Sequence, residues 1–129
     1  MSRALDLPDA GIWRRRAEWF WQAHDANAGP APLTLDPRGE ALLADLEIAF
    51  CAGAWAAVIL LAWALVEGVA RDRAAETPAW AVPPDLDWLR ARRNLWAHGA
   101  GGPVDGPSQA DAEGAVRTAF RQIFAAAWR

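Results

Sequence analysis

Apolar residues recur along most of this chain at three- and four-residue intervals, the spacing of one face of an α-helix; no stretch alternates with a strand's period of two. Proline and glycine break the pattern at 29–39, 77–84 and 99–107. The first segment predicts a helix from about Asp9 to His24, with Trp13, Ala17, Phe20 and His24 on one stripe and Trp19 and Trp21 beside it. A loop rich in Pro and Ala follows, from Asn27 to Pro37. Asp36-Pro37 is a helix start: the carboxylate caps free N–H groups, and proline fixes φ where its missing N–H is harmless. Gly53 divides the long region 37–75 into two antiparallel helices, 37–51 and 54–75, the alternative being one long helix with a weak point there. Pro83-Pro84 opens a further helix, with Leu86, Leu89, Arg93 and Trp96 on one side. The last helix, about 109–128, places Ala112, Val116, Ala119, Ile123 and Ala127 on a core stripe beside Phe120 and Phe124, with Glu113 and Arg117 as an i,i+4 pair toward solvent. The expectation is an all-α fold, a compact bundle of four to five helices forming one domain over 1–129.

Charge and composition narrow this picture. The run 48–66 carries no charged side chain and is long enough to span a bilayer. It is rich in alanine, contains Gly53 and is followed at once by Glu67 and Arg71-Asp72-Arg73, so it reads as a central pair of core helices and no membrane contact is expected. The N-terminus has no basic region followed by an apolar one, so a cytoplasmic protein is expected. Cys51 is the single cysteine and sits in the apolar run, which predicts a small buried core residue and excludes an intramolecular disulfide. The two histidines, His24 and His98, come from distant segments, so no zinc ligand cluster is expected, and no cofactor. His24 reads as a helix-end residue. A net charge of −3 argues against sequence-blind nucleic-acid binding by the whole surface. Two local clusters remain: Arg14-Arg15-Arg16, which reads first as a solvated helix face, and Arg90, Arg92 and Arg93.

The second cluster lies in Leu89-Arg90-Ala91-Arg92-Arg93-Asn94-Leu95-Trp96-Ala97-His98-Gly99. Asn94 and His98 are four apart and share a helical face, which Arg90 extends by one turn. Arg93 lies more than a third of a turn off that row but has a long side chain. Gly-Ala-Gly-Gly at 99–102 stops the helix, so His98 sits where the negative end of the helix dipole favours an imidazolium. A histidine that can change charge beside cations that can hold a phosphate suits phosphodiester chemistry.

With Arg93-Asn94-Leu95-Trp96-Ala97-His98, the chain resembles the HEPN superfamily of small helical bundles, whose marker is an arginine and a histidine separated by four to six residues near a helix end, here by four. Residues 46–58 resemble that family's helix, small-residue turn and second helix; Ala64-Leu65-Val66-Glu67 resembles the glutamate-bearing end of the second, and 110–124 the closing helix. The resemblance covers a HEPN-like core at about 38–127. It implies a metal-independent endoribonuclease, a toxin or defence effector, working as a homodimer with two motif helices facing across a cleft. His98 would be general base or acid, Arg93 would hold the scissile phosphate and Asn94 would orient either. Cleavage would leave 2′,3′-cyclic phosphate ends.

Arg90, Arg92 and Trp96 are the expected RNA-binding residues around this site, although Trp96 equally suits burial. Glu67 either tunes His98 or pairs with Arg71 at i,i+4. A second reading stays open throughout. Arg93 and Asn94 can be structural and His98 a helix C-cap. The chain is then a non-catalytic interaction or dimerisation module, the partner of a nucleotidyltransferase or a regulator. The catalytic reading carries an antitoxin as the expected partner. Nine tryptophans in a chain this short suggest that some lie at an interface.

Overall fold

The computed structural model describes residues 7–30, 32–74, 84–98 and 106–127. Among them are five helices and no strand: α1 (Ala10–Asn27), α2 (Pro37–Ala52), α3 (Trp55–Ala74), α4 (Pro84–His98) and α5 (Gln109–Ala127). The central helix is α3, which packs against α2, α4 and α5, while α1 closes the bundle against α2 and α5. Phe20, Phe50, Val58, Ile59, Leu65, Leu89, Val116, Phe120 and Ile123 meet in one core, each essentially inaccessible to water. Burying a side chain of that size stabilises the fold by about 1.5–3 kcal/mol. Much of the uncharged run 48–66 serves as interior, with Ile48 and Leu60 turned outward, and among the described residues no helix is long and apolar enough to cross a membrane.

The helix ends follow from local chemistry. Asp9 caps α1 by accepting the Ile12 N–H at 2.8 Å, and Asp36 caps α2 by accepting the Gly39 N–H at 2.7 Å. Gly53 ends α2 in the left-handed region, φ 78°. Its N–H and that of Ala54 turn back to the carbonyls of Phe50 and Ala49, so α3 can begin one residue later and fold along α2. Ser108 and Asp111 cap α5 reciprocally: the Asp111 N–H donates to the Ser108 hydroxyl at 3.1 Å and the Ser108 N–H to the Asp111 carboxylate at 3.2 Å. Residue 75, Pro83, the Gly-Ala-Gly-Gly stop at 99–102 and Trp128 lie outside the described residues.

Three expectations change. The first helix runs on to Asn27, whose side-chain amide donates to the Ala23 carbonyl at 2.9 Å and holds the last turn. Of its expected inner stripe, Phe20 and His24 face the core and Trp13 does not. Trp13 is 39% exposed, while Trp19 stacks on Phe50 and His24 sits edge-on to Phe120 and Phe124. The reason is that α1 runs along α5, from Gln109 beside Ile12 to Phe124 beside His24, and meets α2 at Phe50, which leaves Trp13 on the outer side. Arg117 does not reach Glu113. It lies over the Trp19 ring at 5.0 Å, and Glu113 accepts instead from Gln109 at 3.2 Å.

Candidate functional site

Helix α4 is anchored by Leu86 and Leu89, both buried. Four residues beyond Leu89 the same stripe reaches Arg93, and three further Trp96. Arg93 accordingly turns into the bundle, its guanidinium over the Trp63 ring of α3 at 5.2 Å. The Trp96 ring packs against the core. The Arg93 Nε and the Trp96 Nε1 are both buried without a hydrogen-bond partner. An orphaned buried donor costs about 1–3 kcal/mol, comparable to or larger than the ~0.5–2 kcal/mol that a cation–π contact contributes. Arg93 is thus held by packing at an electrostatic cost, which a purely structural side chain such as leucine or methionine would avoid.

Trp63 organises the surroundings. Its indole N–H donates to Glu67 at 2.6 Å, and the other oxygen of that carboxylate accepts from Arg71 at 2.7 Å. Glu67 therefore forms the i,i+4 pair with Arg71 and faces Trp63. Arg90 lies over the same ring at 5.6 Å and 3.7 Å from Asp87. Two guanidinium groups share one indole.

Asn94 and His98 lie on another side of α4. Both are exposed, and with Ala91 and Leu95 they line a shallow open face. At about 100° per residue, Arg93 is about 140° from His98 around the helix, Arg90 about 80°. Within one copy the fold brings Asn94 and His98 together and aims Arg93 elsewhere. Arg90 is the cation at the edge between the two faces. Arg92, further round, lies over Trp88 at 5.6 Å. Trp88 in turn sits against Gly114 of α5, where an added Cβ would stand 3.0 Å from the ring.

The other arginine cluster divides similarly. Arg14 and Arg15 are exposed, whereas Arg16 stacks on Trp55 at 4.8 Å and donates to the Cys51 carbonyl at 3.1 Å, meeting an end carbonyl of α2. Five arginines lie over tryptophans among the described residues. Such contacts occur about once per 70–80 residues in proteins generally. Four of the five pairs join different helices, so intrahelical spacing did not announce them; Arg92 and Trp88 stand one turn apart within α4. Cys51 is buried as expected, and burial first, then the nearby Glu47 carboxylate, pushes its thiol up against the opposing pull of Arg16. No family model matches the chain, and neither curated proteins nor solved structures provide a significant match.

Proposed function

We propose that this chain is a HEPN-type, metal-independent endoribonuclease, a cytoplasmic toxin or defence effector that works as a homodimer. The observation that carries this reading is the open face on which Asn94 and His98 stand side by side, one turn apart, with Arg90 at its edge and no core role for either side chain. A dimer formed across this face brings two histidines together. One, neutral, takes the proton of the ribose 2′-hydroxyl as that oxygen bonds to phosphorus. The other, protonated, donates to the departing 5′-oxygen. The products are a 2′,3′-cyclic phosphate and a 5′-hydroxyl. Arg90, at the edge of the face, meets the charge that develops on the phosphate, and Arg93 joins it only on leaving the Trp63 ring. Asn94 orients the imidazole or the phosphate, Arg92 reaches the flanking backbone, and Trp96 supports the motif helix.

The test is cleavage of a defined RNA in EDTA by the wild type and His98→Ala. Positioned acid–base catalysis contributes about 10²–10⁴-fold, so the variant should lose a rate of that order while EDTA changes nothing. Equal cleavage by the two proteins, or abolition by EDTA, refutes the mechanism. Toxicity on expression that disappears with His98→Ala supports the effector role, and an antitoxin is then the expected partner.

The packing of Arg93 on Trp63 favours a second reading, in which the motif arginine is structural and the chain is a non-catalytic dimerisation module serving a nucleotidyltransferase or a regulator. A folded, dimeric protein that cleaves no RNA under any condition establishes that reading instead.

A further inference from the structure

At the end of the bundle away from His98, a cavity of about 220 Å³ lies between the start of α2, the second half of α3 and residues 33–36. Its floor is apolar, formed mainly by Leu42, Leu65, Val69 and Ile123. Its mouth carries two arginines, Arg38 and Arg71, against one aspartate, Asp36. Asp36 is occupied in capping Gly39, and Arg71 is paired with Glu67. Arg38 is exposed, and no carboxylate of the described residues forms an ion pair with it.

Gly68 marks the cavity as more than a packing flaw. It sits inside α3, where glycine disfavours the helix relative to alanine. Nothing sterically requires it there. An added Cβ would meet only Arg38, at an ordinary 3.7 Å, so the missing side chain leaves open space beneath that guanidinium.

We propose that this cavity binds a small amphipathic carboxylate, its tail on the leucine–valine–isoleucine floor and its head on Arg38. A closed cavity of ~150 Å³ holds benzene, so by volume this open one, lined by polar as well as apolar groups, has room for a chain of roughly six to eight carbons. The site is separate from the Asn94–His98 face, and its occupancy is independent of whether the chain cleaves RNA.

Calorimetric titration of the full chain with octanoate, 1-octanol and inorganic phosphate tests this, with amide NMR shifts locating the ligand. Octanoate should bind saturably and move the amides of 33–42 and 65–71, the alcohol more weakly, phosphate not at all. Arg38→Gln alters an exposed side chain and leaves the fold intact. It should weaken octanoate about tenfold or more, as loss of a charge-assisted hydrogen bond does. Gly68→Leu should fill the space and abolish binding without lowering the melting temperature. Absence of saturable binding overturns the proposal, as does equal affinity for alcohol and carboxylate, or octanoate bound unchanged by Arg38→Gln. Should Gly68→Leu unfold the chain, Arg38→Gln and the NMR footprint decide alone.

Discussion

Arg93 separates packing from chemistry at the level of one side chain. Its Nε is buried without an acceptor, so replacing it with methionine removes an orphaned donor while keeping most of the volume against Trp63. Arg93→Met should therefore change unfolding free energy by less than about 1 kcal/mol in a denaturant titration, since removing an unsatisfied polar group offsets the lost cation–π contact. If Arg93 holds phosphate, the same variant loses cleavage, and Arg93→Lys loses most of it, lysine lacking the two-pronged guanidinium. A large stability loss with Arg93→Met would show the arginine to be a structural element. Cys51 gives a prediction in pH. Its buried thiol resists ionisation, so above the ordinary thiol range of about 8.5 the unfolded chain loses this proton and the folded chain keeps it. The folded state then binds more protons, and stability falls as pH rises above that value. Below it both forms are protonated and this contribution is flat. Cys51→Ala should remove that part of the alkaline slope above about pH 8.5, read by chemical denaturation at each pH. An unchanged slope would assign the alkaline loss to other groups.

At the level of the helices, glycine has opposite meanings at two positions. Gly53 has φ 78°, and a Cβ there would stand 3.0 Å from the Arg16 guanidinium that caps the Cys51 carbonyl. Gly53→Ala should destabilise by about 1–2 kcal/mol, the cost of the left-handed region for an ordinary residue. Gly68→Ala meets no such obstacle and should stabilise by about 0.5–1 kcal/mol through helix propensity alone. Thermal unfolding of the pair checks both signs, and a loss at Gly68 would mean that the cavity wall is tighter than its geometry indicates. The same contrast explains what could be read in the chain beforehand. Asp36-Pro37, Gly53 and the Leu86–Leu89–Arg93–Trp96 stripe are intrahelical signals, and each lies where spacing placed it. The face of α1 was not legible, because Trp13 and Trp19 are both large and apolar, and only the crossing of α1 over α2 decides which one reaches Phe50. The Arg117 partner was missed for the same reason: a Trp19 ring from another helix outcompeted the carboxylate one turn away. At the candidate site the Asn94–His98 row was readable from spacing, whereas Trp63 as the seat of Arg90 and Arg93 was not, since it depends on how α3 and α4 align.

The whole molecule raises the question of what completes the Asn94–His98 face. One copy presents two polar groups on a shallow surface, flanked by Ala91 and Leu95, with Arg93 directed about 140° away around α4. A surface this open does not exclude water or enclose a phosphodiester. An isologous contact would, because a two-fold axis sets the same patch against itself and doubles its histidines. Leu95 is the larger of the two apolar side chains on the face and therefore the natural centre of such a contact. Placing a charge there sets two like charges against each other across the axis, a repulsion of several kcal/mol in a desolvated interface. If the protein pairs through this face as proposed, Leu95→Glu should thus convert the dimer to a monomer by light scattering at micromolar concentration. Leu95 is only half-buried within its own copy, so circular dichroism should remain that of the folded bundle. Cleavage should vanish together with the dimer. It should return partly in mixtures of Leu95→Glu with Leu95→Arg, where opposite charges face one another across the axis. A wild type that is monomeric, or a Leu95→Glu monomer that still cleaves RNA at the wild-type rate, would remove the composite site and leave each copy to act alone.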